Sequence, residues 1–253
     1  MSAAATSLAV ISDIHGNVTA LEAVLADIAA RGINRVVNLG DVVGKGPRGS
    51  EAVKLSRRCE VTVRGNWDSF ISDETIELGP EAQWTRDELS REDLAWLAAL
   101  PGSVDLLVSG RTVRLFHASP VSEFHRVRRQ HTRSQFRGMF ANTDFTGHGP
   151  APTVVGYGDI HCTYLEADEG LTLFNAGSVG NHLDAPTAAY AVLTGALDDP
   201  SPAPLSVGFV RVPYDIDAEV AAARDLGLPD VEPYAVELRE GVYRGDQRRP
   251  APG

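Results

Sequence analysis

Leu8–Ser12 is a short apolar run with no polar interruption, the pattern of a buried strand. Polar Asp13, His15 and Asn17 follow at once. From Val18 to Arg31 the apolar positions fall at Leu21, Val24, Leu25 and Ile28, a helical stripe that Gly32 stops. Val36–Leu39 predicts a second strand ending in Gly40-Asp41. Glu51–Arg58 predicts a second helix, and Glu60–Val63 a third strand ending in Arg64-Gly65-Asn66. This β-α-β-α-β rhythm points to an α/β fold with a mostly parallel inner sheet.

Trp67–Leu100 reads as helical, with Ser90 as an N-cap, Leu94, Leu97 and Leu100 as an apolar face, and Pro101-Gly102 as the stop. Val104–Val108 and Thr112–Phe116 read as a hairpin turning at Ser109-Gly110, with His117 next in the chain. Glu123–Arg133 has no clear period and is basic. Strands are expected at Thr153–Tyr157, Thr163–Ala167, Leu171–Phe174, Ala188–Leu193 and Ser206–Val212, and a late helix at Ile216–Leu226. There is no internal repeat and no dividing linker. The expectation is one domain over 1–243, with a helical insertion near 67–100 and a frayed Pro/Arg-rich tail over 244–253.

Composition narrows the class. The 253 residues are 43% hydrophobic and 23% charged, which excludes wholesale disorder and fibrous repeats. A net charge of −11 disfavours broad nucleic-acid or membrane-surface binding. Two cysteines, Cys59 and Cys162, cannot build a disulfide framework. The chain start carries no charged region before Leu8–Ile11, and no run approaches a membrane span, so a cytoplasmic protein is expected.

Candidate chemistry sits after the strands. Asp13-x-His15 follows the first, Gly40-Asp41-x-x-Gly44 the second, and Gly65-Asn66-x-Asp68 the third. His117, Gly158-Asp159-x-His161 and Asn175-Ala176-Gly177-Ser178 follow later ones. Ligands bind outside the carboxyl ends of strands in open α/β sheets. Asp, His and Asn without thiolates suit Mn, Fe or Zn. If the chain stays extended there, residues i and i+2 point the same way, so Asp13 with His15, and Asp159 with His161, form two chelating pairs.

Taken together in this order, these segments resemble the calcineurin-like metallophosphoesterase superfamily, in its small bacterial phosphodiesterase-like branch. Asn175-Ala176-Gly177-Ser178-Val179-Gly180 is similar to that branch's N-P-G-S-V-G segment, and the resemblance runs from about Leu8 to Val212. It implies a four-layer α/β/β/α sandwich and two divalent ions, Mn first, with Fe, Zn, Ni or Mg as other occupants. Asp13, His15 and His161 would bind the first ion, Asp41 would bridge, and Asn66, His117 and Asp159 would bind the second. Asp41, Asn66 and His117 would be the catalytic set, with an activated hydroxide attacking phosphorus in line.

Three departures from the family pattern matter. Asp159 stands where the family usually has His. Trp67 stands where family phosphatases often have the His that protonates the leaving group, which favours acidic leaving groups or a stacking role. The loop after Asp41 lacks the Asp-Arg-Gly of protein phosphatases and symmetrical dinucleoside tetraphosphatases, and carries Lys45 instead. Expected substrate contacts are Asn66, Trp67, Lys45, Gly177, Ser178 and His182, the last as a substitute proton donor. Arg126, Arg128, Arg129 and Arg133 read either as a solvated loop or as a substrate lip.

The expected function is hydrolysis of small phosphodiesters or nucleotides. The alternatives are a phosphomonoesterase or nucleotidase of the same fold, and a catalytically weak metal-binding scaffold for protein partners. The expected partner is a small phosphate ester; self-association into a homo-oligomer is left open.

Overall fold

The computed structural model describes residues 6–247. In chain order its elements are β1 (Thr6–Ile11), α1 (Val18–Ala30), β2 (Arg35–Asn38), α2 (Gly49–Ser56), β3 (Val61–Thr62), α3 (Asn66–Ser72), α4 (Pro80–Glu88) and α5 (Arg91–Ala98). There follow β4 (Ser103–Val108), β5 (Arg111–Phe116), α6 (Arg133–Gly138), β6 (Val154–Tyr157), β7 (Thr163–Asp168) and β8 (Leu171–Ala176). The chain continues through β9 (Ala188–Gly195), β10 (Ser206–Val212), α7 (Ile216–Asp225), α8 (Val231–Glu240) and α9 (Arg244–Gln247).

Two five-stranded sheets result, ordered β10-β9-β1-β2-β3 and β4-β5-β6-β8-β7. β1, β2 and β3 run parallel, as do β5, β6 and β8. Antiparallel β9 and β10 extend the first sheet, and β4 and β7 close the edges of the second.

The uninterrupted apolar run of β1 has a reason: both of its faces are covered. Leu8 and Val10 point between the sheets and pack with Val37, Leu39, Val113, Leu115 and Phe174. Ala9 and Ile11 point the other way, into the helix layer with Leu21, Val24 and Ile28 of α1 and Val53 of α2. On the outer face of the second sheet Val155, Tyr157 and Leu173 are covered by Val127 and by Phe136, Met139 and Phe140 around α6. The layers are therefore α/β/β/α, the last one thin.

The stretch expected as one helical run over Trp67–Leu100 is three helices. Gly79-Pro80 restarts the chain as α4, Pro80 occupying the first turn where its missing N–H costs nothing. Ser90 restarts it as α5, its Oγ accepting from Asp93 N–H at 3.1 Å. The first four residues of the tail expected over 244–253 are helical instead. Arg244–Gln247 forms α9, and Arg244 pairs with Glu237 at 2.8 Å and with Glu81. Residues 248–253 of that expectation lie outside the described residues. Among the described residues no helix is long and apolar enough to cross a membrane.

Candidate metal centre

The parallel strands of the two sheets end at a common rim, and the loops leaving them are lashed together by backbone hydrogen bonds. Asp13 N–H donates to Gly40 O, His15 N–H to Asp41 O and Gly16 N–H to Val42 O, each at 2.9 Å. Gly180 N–H donates to Asp13 O at 2.9 Å, which brings in the loop after β8. Gly40 and Gly65 meet backbone to backbone: a Cβ on Gly40 would lie 2.3 Å from Gly65 N, and one on Gly65 2.1 Å from Asp41 N.

The chain is not extended at the two Asp-x-His segments. Asp13 (φ 55°), His15 (51°), Asp159 (65°) and His161 (56°) are all left-handed, as is Asp41 (51°). The side chains converge because of these turns rather than through strand alternation. Left-handed non-glycine residues cost free energy and cluster at functional sites. Here the cross-loop hydrogen bonds hold them in place.

The histidines share one arrangement. Each Nδ1 faces a backbone carbonyl: Val43 O at 3.3 Å for His15, Leu39 O at 2.9 Å for His117, and Asn181 O for His161. With the Nδ1 proton donated to a carbonyl, the Nε2 lone pair is left for a cation. His15 Nε2 lies 3.2 Å from His161 Nε2, and both approach Asp13 Oδ1, at 3.9 and 3.3 Å. Asp13 Oδ1 is buried with no hydrogen-bond partner, while Oδ2 accepts from Asp159 N–H at 3.1 Å. An orphaned carboxylate oxygen beside two imidazole lone pairs fits a divalent ion.

Asp41 stands between two groups of donors. Its Oδ2 is 3.5 Å from His15 Nε2, and its Oδ1 is 3.5 Å from His117 Nε2. Asn66 Oδ1 lies 3.0 Å from His117 Nε2. Ligand atoms of Asp13, His15 and His161 fall within 4.8 Å of one another, as do those of Asp13, Asp41 and His117.

Burial and neighbouring charge push the groups of the centre in different directions. Burial, reinforced by Asp13 and Asp68, drives the Asp41 carboxyl well above the usual range despite the opposing pull of His117. Burial alone would depress His117, but Asp41, Asp13 and Asp159 together raise it to about 9. Burial, Lys45 and His161 drive His15 well below the ordinary imidazole value.

The remaining expected residues divide. Trp67 and Lys45 line a cleft of about 890 Å³ beside Asp41 and His161. Trp67 N–H donates to Asp41 Oδ1 at 2.8 Å, and its ring stands edge-on to His15, 6.0 Å between centroids. Lys45 is buried, donates to Asn181 Oδ1 at 2.8 Å and lies 5.3 Å over the Tyr243 ring.

Gly177, Ser178 and His182 do not line the cleft. Ser178 Oγ donates to Asp13 O at 2.8 Å and accepts from Asn181 N–H, so it braces the loop rather than facing substrate. A Cβ at Gly177 would lie 2.7 Å from Thr163 Cγ2; the residue is glycine for backbone passage. His182 is buried with Nε2 3.1 Å from Tyr214 Oη. Asp159 reaches the cleft, but both its oxygens accept from Arg126.

Three contributors went unassigned in the sequence reading. Asp68 Oδ1 accepts from Val42 N–H at 2.9 Å and Val43 N–H at 3.3 Å, and its Oδ2 from Gly65 N–H at 3.0 Å, clamping the Asp41 loop to the Asn66 loop. Asn181 ties His161 to Lys45 and, through Nδ2, to Glu237 Oε2 at 3.1 Å. The segment after α8 forms a wall of the cleft through Tyr243 and Arg244. Gly241, left-handed at φ 68°, ends α8 and was the available signal.

Comparison with known proteins places this geometry. The model of the calcineurin-like phosphoesterase superfamily domain matches residues 7–196. An uncharacterized protein of Methanocaldococcus jannaschii is 32% identical over 226 residues, covering 83% of this chain and 88% of that protein. Phosphodiesterase YfcE of Escherichia coli K12 is 34% identical over 94 residues, 33% of this chain and 51% of the relative. A crystal structure of a metallophosphoesterase from Sphaerobacter thermophilus superposes with a TM-score of 0.75 at 27% identity, covering 94% of this chain and 100% of that one.

Proposed function

This chain belongs to the calcineurin-like phosphoesterase superfamily, and from that premise we propose that it is a divalent-metal-dependent hydrolase of small phosphodiesters or nucleotides. One observation carries the reading: three imidazoles hold Nδ1 against backbone carbonyls while Nε2 turns toward Asp13 and Asp41. Asp13, His15 and His161 would hold one ion, and Asn66 and His117 a second, with Asp41 shared. Mn suits this nitrogen and oxygen donor set, which Fe, Zn, Ni or Mg could also occupy. Such ions supply Lewis-acid stabilisation of phosphoryl oxygens and a water nucleophile usable near neutral pH.

The chain's own residues do the rest. The carbonyls of Val43, Leu39 and Asn181 keep each imidazole in one tautomer. Trp67 N–H and the Asp68 clamp hold the Asp41 carboxylate between its two histidines. Lys45 and Arg126 place positive charge on the cleft walls. An indole N–H keeps its proton, so Trp67 gives a departing alkoxide no acid; a general acid is worth about 10²–10⁴-fold. Acidic leaving groups, aryl or nucleotidyl, are therefore favoured, and the partial similarity to a phosphodiesterase points the same way. The unpaired state of Cys59 and Cys162 accords with a reducing, cytoplasmic setting.

The test is hydrolysis of bis- and mono-p-nitrophenyl phosphate with Mn²⁺, using Asp41→Asn as control. Metal-dependent turnover favouring the diester and lost in Asp41→Asn is expected. Faster turnover of the mono ester than of the bis ester would replace the diester assignment with a phosphomonoesterase.

A further inference from the structure

Unlike Asp13, whose Oδ1 has no hydrogen-bond partner, Asp159 has both carboxylate oxygens engaged by a single side chain. Arg126 Nε donates to Oδ2 at 2.7 Å and Nη2 to Oδ1 at 2.6 Å, a fork on a carboxylate. The carboxylate is 3% exposed and the Arg126 side chain 47%, so the pair reaches from the protein interior to the lip of the cleft. The Arg126 loop is fixed by a second rung. Val127 is buried, and its carbonyl accepts from Tyr157 Oη at 3.0 Å. Tyr157 ends β6, two residues before Asp159.

Among the described residues, the donor groups that converge closely enough for an ion are Asp13 with His15 and His161, and Asp13 with Asp41 and His117; Asp159 is in neither, its Oδ1 coming no nearer than 3.9 Å to His117 Nε2. A guanidinium has five N–H donors, and the fork on Asp159 uses two of them, leaving the Nη1 edge for another acceptor. We propose that Asp159 is the positioning residue for Arg126 rather than a metal ligand, and that Arg126 is a phosphate-binding residue, presenting its outer N–H edge to an oxygen of the substrate's phosphoryl group. The inference rests on the metallophosphoesterase reading and assigns one further contact within it. The carboxylate fixes the plane of the fork and offsets the cost of partly desolvating the guanidinium.

The experiment uses the full chain, stripped with chelator, reloaded with MnCl₂ and desalted. Metal content per chain is measured by plasma mass spectrometry, and binding of inorganic phosphate by calorimetry. The proteins are wild type, Asp159→Asn, Arg126→Gln and, as a control for general loss of charge on the lip, Arg128→Gln. Metal content equal to wild type is expected in all three variants. Phosphate affinity should fall about tenfold or more in Asp159→Asn and Arg126→Gln, the scale of one lost charge-assisted hydrogen bond. In Arg128→Gln it should fall less than about threefold, as for an exposed screened charge.

Loss of a metal equivalent in Asp159→Asn that Arg126→Gln retains would make Asp159 a ligand and overturn the inference. So would wild-type phosphate affinity in Arg126→Gln, which tests the same claim with Asp159 intact should Asp159→Asn fail to fold. A wild type that takes up no Mn²⁺ sinks the metallophosphoesterase reading itself, and this inference with it.

Discussion

His15 Nε2 and His161 Nε2 face each other across 3.2 Å, while the other nitrogen of each ring lies against a backbone carbonyl. Two imidazole lone pairs at that distance repel, and the buried, unpartnered Asp13 Oδ1 adjoins them. The fold therefore stores an electrostatic cost that a shared cation removes.

Metal loading should accordingly stabilise the protein. At a hundredfold excess over Kd a ligand adds about 3 kcal/mol, or roughly 5–10 °C in Tm for a chain of this size. Differential scanning fluorimetry of chelator-treated protein, with and without Mn²⁺, reads it. A Tm that no divalent ion moves would count against the centre.

Asp68 should matter for stability more than its position beside the ligands suggests. Asp68→Ala strands the amides of Val42, Val43 and Gly65. The cost should be on the order of 3–5 kcal/mol, given roughly 1–3 kcal/mol for each buried donor left unpaired and partial relaxation. Urea unfolding measures it, and a loss below about 1 kcal/mol would show that the two loops hold together without the clamp.

Trp67→His places an ionisable group at the start of α3, beside Asn66. Alkyl phosphate hydrolysis should then rise relative to p-nitrophenyl ester hydrolysis, up to about 100-fold where protonation limits the rate. Rates on paired alkyl and aryl substrates test this. An unchanged ratio would mean that leaving-group protonation is not what Trp67 forgoes.

His182 supplies a pH dependence independent of catalysis. Burial, the largest effect, lowers its imidazole to about 4, Asp184 opposing and Arg211 assisting. The unfolded chain binds a proton near pH 6.5, so between about 6.5 and 4 it holds more protons than the native state. This residue's contribution is complete above pH 6.5 and declines as pH falls toward 4, by up to about 3 kcal/mol. The stability difference between pH 7 and pH 4.5 should shrink in His182→Gln, and an unchanged difference would contradict the assignment.

Much of the centre was legible because strand ends are legible. Apolar runs located β1, β2, β5 and β6, and Asp13, His15, Asp41, His117 and His161 follow them within a few residues. How these side chains converge was not legible. The i, i+2 rule holds only for extended chain, whereas Asp13, His15, Asp159 and His161 are left-handed; Asp13 and His15 are held by bonds to Gly40 and Asp41, and Asp159 by its N–H to Asp13 Oδ2, none of which a local pattern encodes. The pairing of Arg126 with Asp159 spans 33 positions and begins in a loop without periodicity. The wall formed by Tyr243 and Arg244 was hidden for another reason. The apolar stripe of α8 is short, and it carries a buried acid, Glu237, whose partners Arg244 and Asn181 lie elsewhere in the chain.

Anomalous diffraction from Mn²⁺-loaded crystals tests the central claim most directly. The account predicts two anomalous peaks, one among Asp13, His15 and His161 and one beside Asn66 and His117, with an Asp41 oxygen toward each. Well-ordered imidazoles with no anomalous density between them would contradict it.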